Sequence, residues 1–414
     1  MKVFKFGGAS LKDAQGVKNV TSIIQSTATH NLLVVVSAMG KTTNALEKIL
    51  ELNKSGQSVA TEKHTLYQYH KNIADKLFPA EHGVFQEMDK LFTELDAELT
   101  RQADFDLIYD QVVSKGELIS SILVHHYLLQ QGHPSHWLDA RSCIQTDTSF
   151  REGKVDWNTT SYCIEKLQTT LDKNTIITQG FIGQTPDGLT TTLGREGSDY
   201  SAAIFASCLT AESVTIWKDV PGVMNADPRR LPAAVVFDEL PFKEAAEMTY
   251  YGASVIHPKT IKPLANKNIP LLVKNFEDPS LPGTKIHECT VDYIPPLIVF
   301  KDNQCLVSCK VTDYTFISEQ QLLTIFHALS ELDLRVNVMQ NSAISFSFCL
   351  DFRESKVIKL IHRLQQYFEV YYNTGLTLVT VKNYDALTFE TYRKMPGILL
   401  EQSSRSTLQV LLRL

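Results

Sequence analysis

The chain has 414 residues, 43% hydrophobic and 21% charged, and its 40 Lys and Arg against 46 Asp and Glu give a formal charge of −6. These values are typical of a globular protein of two or three domains, and the lack of a basic block disfavours a nucleic-acid-binding protein. No apolar run is long enough for a membrane span or a signal peptide. The seven scattered cysteines predict reduced thiols in a cytoplasmic protein, without a metal site.

Strand and helix patterns alternate through the first 290 residues. Predicted strands cover residues 3–6, 32–36, 175–178, 214–217 and 271–273. The branched run at residues 32–36 is typical of a strand buried on both faces. Residues 42–130 are predicted to be mainly helical, and a further helix is predicted over residues 198–209. The alternation indicates βαβ units and therefore an α/β domain with a mostly parallel sheet between helices.

The pattern changes after a predicted linker at residues 292–303, which contains two consecutive prolines. Residues 303–382 predict the order βαββαβ, a ferredoxin-like α+β unit in which two helices cover one face of an antiparallel sheet. Residues 383–414 add two more strand-like runs, too few for a second complete unit. The predicted domains are thus 1–292, 303–382 and a truncated segment, 383–414.

The first segment with a chemical pattern is Lys5-Phe6-Gly7-Gly8-Ala9-Ser10, at the end of the first predicted strand. Glycines let backbone N–H groups approach a phosphate closely, and a following helix N-terminus favours negative charge. Lys5 can neutralise phosphate oxygens in a transition state. The alternative is a strand-to-helix turn that simply needs glycine, and the hexapeptide alone does not decide between the two.

A second segment, Gly194-Arg195-Glu196-Gly197-Ser198-Asp199, opens a predicted helix. Ser198 is predicted to cap that helix, and Asp199 falls in its first turn. The Arg195 guanidinium offers a fork for a carboxylate or a phosphate. A capped helix without a binding role would need only the serine, so the segment favours a binding site.

Three other segments are less specific. The Gly40-Lys41 pair imitates a P-loop, but Val35 stands where that motif needs a glycine. Glu117 follows a glycine and is predicted, on its own, to lie near the start of a helix over residues 120–130. Asp219 begins a proline-containing loop after a strand, at the sheet edge where ligands bind in α/β proteins.

Taken in order, these segments resemble the aspartokinases of the amino acid kinase family, and the C-terminal βαββαβ unit is similar to an ACT domain. The resemblance is carried by residues 5–10, 177–183, 190–200 and 219–222. It implies an enzyme that uses ATP and Mg²⁺ to phosphorylate the side-chain carboxylate of L-aspartate. The product, 4-phospho-L-aspartate, leads to lysine, threonine and methionine.

The resemblance also implies roles for individual residues. It makes Lys5 and Asp199 catalytic, Glu117 the acceptor of the substrate ammonium, and Arg195 the partner of a substrate carboxylate. The implied substrate-binding residues are Ser37, Thr43, Glu117, Phe181 (through its backbone), Arg195 and Ser198. The implied nucleotide-binding residues are Lys5, Gly7, Gly8, Ser10, Asp219, Arg229 and Lys259. The chain departs from the family at Lys218, Met224 and Ser254, and Lys259 is expected to replace a lysine that relatives carry at position 254.

Regulation is expected from the C-terminal region. The resemblance implies an amino-acid effector, lysine or threonine, near Phe316 and Asn337, and a homodimer in which the partner supplies the pairing that the truncated unit lacks. Two other functions remain open at this point. One is a kinase for another carboxylate, such as glutamate or N-acetylglutamate, and the other is a non-catalytic amino-acid sensor on a decayed kinase.

Overall fold

The computed structural model describes residues 1–27, 30–253, 256–313 and 315–413. They form two compact units. The first contains Met1–Val223, Val236–Ala246 and most of the following chain up to Val291. The second contains Met224–Val235, a short segment that begins at Glu247, and the chain from Asp292 onward. Among the helices of these residues, none combines the length and the apolar character that a membrane span requires.

Strands and helices alternate before residue 292, as predicted. The strands are β1 Lys2–Phe6, β2 Leu32–Val36, β3 Ser135–Leu138, β4 Thr175–Gln179, β5 Ile182–Gln184, β6 Thr190–Thr192, β7 Ser213–Lys218, β8 Glu239–Pro241, β9 Leu271–Asn275 and β10 Thr284–His287. The α-helices are α1 Ala14–Thr27, α2 Thr42–Lys54, α3 Ala60–Asp75, α4 Val84–Thr100, α5 Phe105–Gln130, α6 Trp157–Glu165, α7 Gln168–Leu171, α8 Gly197–Cys208, α9 Phe242–Tyr250 and α10 Pro258–Ala265.

The first unit is built on an eight-stranded sheet of order β3-β4-β2-β1-β7-β9-β10-β8. All its pairs are parallel except β9 with β10, which confirms the predicted mostly parallel sheet. All five residues of β2 are buried, as expected for a branched apolar run covered on both faces. In this order β1 lies between β2 and β7, so the residues that follow these three strands meet at one edge of the sheet.

The position predicted for Glu117, near a helix start, is wrong. Helix α5 begins at Phe105, where the Asp104 carboxylate caps it by accepting a hydrogen bond from the Asp106 N–H at 2.9 Å. Gly116 therefore lies in mid-helix, and its lack of a side chain has a packing reason. A Cβ there would lie 2.8 Å from the Thr42 Cγ2 atom of α2. Glu117 consequently projects from a buried, continuous helix.

The prediction that Ser198 caps its helix is also wrong. Helix α8 begins at Gly197, and its N-cap is Glu196, whose φ of 54° is left-handed. The Glu196 carbonyl accepts the N–H groups of Asp199 and Tyr200 at 3.1 and 3.2 Å. Because this left-handed residue turns the chain into the helix, Ser198 lies inside the first turn together with Asp199.

The second unit confirms the predicted βαββαβ order. Its elements are β11 Leu297–Lys310, α11 Glu319–Glu331, β12 Val336–Asn341, β13 Ser345–Asp351, α12 Glu354–Leu364, β14 Glu369–Lys382, α13 Ala386–Arg393, β15 Ile398–Ser403 and β16 Thr407–Leu412. They form one antiparallel sheet of order β12-β13-β11-β14-β16-β15. Its helices α11 and α12 pack on a core that includes Phe348.

Two features of this unit differ from the sequence prediction. Strand β11 begins at Leu297, inside the predicted linker, because it pairs with β14 along its whole length and places Ile298 and Phe300 against an apolar cluster. The last residues do not form a separate partial unit either. Strand β16 pairs with β14, so β15 and β16 extend the same sheet, and the apolar run ending at Leu412 is buried in it.

Candidate active site

A cavity of about 730 Å³ lies in the first unit, where β1, β2 and β7 end. It brings together all eight residues predicted to be catalytic or substrate-binding: Lys5, Ser37, Thr43, Glu117, Phe181, Arg195, Ser198 and Asp199. Gly8 and Lys218 line it as well. Residues up to 213 positions apart in sequence, Lys5 and Lys218, therefore share one space, and the individual roles of the predicted residues stay predictions.

The glycines after β1 allow two loops to run in contact. A Cβ on Gly8 would lie 2.7 Å from the carbonyl oxygen of Ala38 and 2.8 Å from that of Gly40, so only glycine fits. The Gly40 N–H donates to the Gly8 carbonyl at 3.0 Å. The ammonium end of the Lys5 side chain lies beside this loop. A Cβ on Gly7 would be 3.4 Å from the Lys5 Nζ atom. The packing of the backbone therefore holds the lysine at the cavity.

Lys5 and Asp199 form a shielded ion pair in the cavity. The Lys5 Nζ atom lies 2.6 Å from Asp199 Oδ1, and the side chains are 12% and 4% exposed. The short distance is typical of a contact between an ammonium and a carboxylate. The aspartate therefore holds the ammonium in place, and an ammonium with three N–H donors still has donors for a ligand.

Glu117 is a buried acidic residue of the cavity. Glu117 is 3% exposed, and its Oε2 atom has no hydrogen-bond partner among the described residues. Burial raises the pKa of this carboxyl from 4.5 to about 8, against a smaller opposing effect of the Ala38 backbone N–H and the Lys5 charge. Without a ligand the group keeps its proton at neutral pH, and a bound cation would favour its ionised form.

Phe181 has the left-handed φ of 71° and both of its backbone groups are already bonded. Its N–H donates to the Ser201 hydroxyl at 2.9 Å, and its carbonyl accepts from the Leu193 N–H at 2.8 Å. A substrate bound through this backbone would thus use the second lone pair of the carbonyl.

Gly180 packs directly against Ser198. A Cβ at Gly180 would lie 2.5 Å from Ser198 Cβ and 2.6 Å from Ser198 Cα, in the first turn of α8. We therefore expect Gly180→Ala to lower the free energy of unfolding by about 1–3 kcal/mol, the usual cost of overpacking. It should also raise the KM for the amino-acid substrate, because it displaces Ser198.

Thermal unfolding and initial rates measure the two effects, and Gly83→Ala is the matched control. A Cβ at Gly83 has open space around it, and its φ of −60° suits any residue. Equal stability of the two variants would contradict the steric argument.

With this geometry the chain can be compared with known proteins. The family model described as "Amino acid kinase family" matches residues 1–275. Lysine-sensitive aspartokinase 3 of Escherichia coli (strain K12) is 33% identical over 356 residues, which cover 84% of this chain and 78% of that protein. The chain belongs to the amino acid kinase family, among the aspartokinases.

Two further comparisons give the extent of the likeness. The maize bifunctional aspartokinase/homoserine dehydrogenase 1 is 34% identical over 297 residues, 69% of this chain, but the chain matches only 32% of that protein's length. Crystal structures of E. coli aspartokinase III are 29% identical and superpose over all of this chain and 96% of theirs. The TM-score is 0.84 for the complex with aspartate and ADP and 0.82 for that with lysine and aspartate.

The predicted nucleotide-binding residues of this chain are less concentrated around the cavity than the predicted substrate-binding ones. Lys5 and Gly8 line the cavity, whereas the others are not among its described lining residues: Gly7, Ser10, Asp219, Arg229 and Lys259. Asp219 follows the lining residue Lys218 at the end of β7. Arg229 belongs to the second unit, where its guanidinium pairs with Asp227 at 2.8 Å. Position 254 lies outside the described residues.

Sequence reasoning missed one side of the cavity. The Tyr109 hydroxyl donates to Glu47 Oε1 at 2.6 Å, and the Arg151 guanidinium lies 4.2 Å from the centre of the Tyr109 ring. Tyr109 lies eight residues before Glu117 on α5, about two turns along one face. A helix predicted from Phe105 onward would have placed both side chains at the same site.

Glu196 also lines the cavity without having been assigned a role. Gly194 also has a left-handed φ, of 76°. The left-handed φ of Glu196 could not be predicted from the sequence, because a glycine stands at each side of the Arg195–Glu196 pair and glycine is the residue expected to take such a turn.

Proposed function

We propose that this chain transfers the γ-phosphoryl group of ATP to the side-chain carboxylate of L-aspartate, giving ADP and 4-phospho-L-aspartate. The observation that carries the proposal is that one cavity holds both an acidic group and a guanidinium. Glu117 is a buried carboxyl whose Oε2 atom has no hydrogen-bond partner among the described residues, and Arg195 is an exposed guanidinium on the same cavity. An α-amino acid presents an ammonium and a carboxylate to such a pair, and an acylated amino acid lacks the ammonium.

The reaction needs positioning and charge stabilisation more than covalent chemistry. The nucleophile is the substrate's own ionised carboxylate, so no general base is required. In the proposal Lys5 neutralises charge that develops on the transferring phosphoryl oxygens, and Asp199 keeps the ammonium in place at 2.6 Å. Burial of both side chains excludes water and strengthens these interactions.

Mg²⁺ fits the donor set of the cavity. Glu117 Oε2 and Glu196 Oε2 are buried at the cavity without a hydrogen-bond partner in the described part of the chain. Mg²⁺ prefers one or two carboxylates together with phosphate oxygens and water. When bound, Mg²⁺ neutralises negative charge on the phosphates. The residues around it still have to orient aspartate and ATP, which is the part this chain supplies.

Trapping of the acyl phosphate with hydroxylamine tests the proposal. Aspartate should give the hydroxamate in an ATP-dependent reaction, whereas glutamate and N-acetylglutamate should give little. A hydroxamate formed faster from another amino acid would favour the kinase for a different carboxylate. A chain that binds aspartate and ATP but forms no product would favour the non-catalytic sensor.

Regulation is the second part of the proposal. We infer that the second unit binds an amino-acid effector, lysine first and threonine second, and that two chains form an isologous dimer through this unit. Strand β12 is an unpaired edge of its sheet in the described chain, and the nearby sequence exposes Phe316, Phe326 and Met339, which supports a surface for a second copy.

The side chain of the candidate effector residue Asn337 is already hydrogen-bonded to other residues of the second unit. It accepts from Lys301 Nζ at 2.8 Å and donates to Gln304 Oε1 at 2.7 Å and Asp351 Oδ1 at 3.0 Å. A cationic effector bound there has to displace the Lys301 ammonium. Effector binding therefore requires a rearrangement of the unit, which is what differential binding to two states needs.

We expect lysine to inhibit the initial rate, with a coupling of about 1–3 kcal/mol between effector and substrate. Light scattering should give twice the mass of the chain. Threonine is the comparison, and alanine, which has no polar side chain, is the negative control. A monomer whose rate is unchanged by both lysine and threonine would contradict this part of the proposal and leave the catalytic part in place.

A further inference from the structure

Glu196 has a backbone conformation that favours glycine. Its φ of 54° places it in the left-handed region at the N-cap of α8, where its side chain makes no capping hydrogen bond. A side chain with a Cβ is disfavoured there, and glutamate gains nothing from the local hydrogen bonds that asparagine or aspartate can form. The backbone alone therefore does not explain a glutamate at this position.

One oxygen of the Glu196 carboxylate is also buried without a hydrogen-bond partner among the described residues. This oxygen is Oε2, and Glu196 lines the cavity that holds Lys5 and Asp199. A buried carboxylate oxygen without a partner costs free energy unless a ligand satisfies it. The feature is thus a strained residue with an unsatisfied negative group facing the site.

We propose that Glu196 is a ligand of the Mg²⁺ that accompanies the nucleotide in this cavity. The inference rests on the proposed function, since it requires ATP phosphates beside α8. Those phosphates and the aspartate carboxylates are anions, and the N-terminus of α8 favours anions as well. The Glu196 carboxylate would repel these anions if nothing lay between them. A Mg²⁺ ion bound by both the Glu196 carboxylate and the phosphate oxygens removes that repulsion.

Four other acidic residues line the cavity, and each is less suited. The Glu47 carboxylate accepts a hydrogen bond from the Tyr109 hydroxyl at 2.6 Å, and Glu152 is exposed to solvent. Asp199 Oδ1 already lies 2.6 Å from the Lys5 ammonium. Glu117 keeps its proton at neutral pH because burial raises its pKa to about 8, and it is assigned to the substrate ammonium. Glu196, at the N-cap of α8, is the one of these five whose oxygen is buried without a hydrogen-bond partner among the described residues and is not already assigned to a cation.

Calorimetry of ADP binding, with Mg²⁺ and with EDTA, tests the proposal without relying on turnover. The variants are Glu196→Gln, which keeps the shape, and Glu196→Gly, which relieves the left-handed backbone. Glu165→Gln is the charge-matched control, because Glu165 is an exposed residue at the end of α6 and does not line the cavity. Mn²⁺ in place of Mg²⁺ gives a second readout by electron paramagnetic resonance.

In the wild type Mg²⁺ should tighten ADP binding, and both Glu196 variants should lose about tenfold or more of that gain. Their ADP affinity in EDTA should be unchanged or higher, and their affinity for aspartate should be unchanged. A Mg²⁺ effect that is the same in Glu196→Gln, or a loss of aspartate affinity instead, would overturn the proposal. If the wild type forms the hydroxamate but binds ADP independently of Mg²⁺, the proposal for Glu196 is overturned as well. If the wild type binds no nucleotide, the proposed function itself is overturned.

Discussion

Replacing Lys5 by alanine is expected to lower kcat by about 10²–10³ or more, because the variant loses the cation that faces the developing phosphoryl charge. The fold should persist, since Lys5 lies at the end of β1 and the apolar residues of that strand are untouched. Initial rates of hydroxamate formation measure the loss. The KM for aspartate should change much less, because Lys5 acts mainly on the transition state.

Asp199→Ala should cause a loss of the same size, and the double variant should lose little more than either single one. The reason is that the two side chains act as one unit, 2.6 Å apart and shielded from solvent. Multiplicative losses would show that they act independently.

Lys41→Ala is the matched control for this series. Lys41 is exposed and precedes α2, and it does not line the cavity. Its removal should leave kcat nearly unchanged. A collapse of ATP affinity in this variant would revive the P-loop interpretation of residues 40–42, and near-normal turnover of Lys5→Ala would remove that lysine from the mechanism.

Glu117→Ala is expected to weaken aspartate binding by about 3–5 kcal/mol, because the substrate ammonium would then be buried without its partner. The loss should appear in kcat/KM for aspartate, with ADP binding almost unchanged. Glu117→Gln should fail almost as badly, since it keeps the volume but not the charge. Wild-type kcat/KM for aspartate in either variant would rule out this assignment.

The raised pKa of Glu117 gives this prediction a signature in proton release. At pH 7 the free protein holds a proton on Glu117, whose pKa is about 8, and a bound ammonium favours the ionised form. Aspartate binding should therefore release most of one proton from the wild type and none from Glu117→Gln. Calorimetry in buffers of different ionisation enthalpy measures the difference. Proton release that persists in Glu117→Gln would point to another group.

The same shift makes the stability of the free protein depend on pH. The folded state keeps the Glu117 proton while the unfolded chain loses it near pH 4.5, so the folded state binds more protons between about pH 4.5 and 8. The free energy of unfolding should fall as pH rises through that window. Glu117→Gln should remove this contribution and be the more stable protein above pH 8.

Much of this protein follows from its sequence alone. The branched run of β2 predicts a strand buried on both faces, and all five residues are buried. The helical stripe and strand alternation after residue 303 predict the βαββαβ order, because periods of 3.6 and 2 residues reflect which side of each element faces the core. The glycines beside Lys5 and Asp199 mark the two turns of the cavity for a similar local reason, since close backbone approach tolerates no side chain.

Only the tertiary structure decides how these pieces act together. Helix α5 extends back to Phe105 through Gly116, which local propensity disfavours, because the packing of α2 against that glycine outweighs its helix propensity. The burial that raises the Glu117 pKa comes from elements distant in sequence, and so does the ion pair of Lys5 with Asp199, 194 residues later. Pairing of β16 with β14 likewise turns a truncated tail into part of one sheet. Local pattern determines which element a residue belongs to, whereas burial and charge depend on long-range contacts that one sequence does not specify.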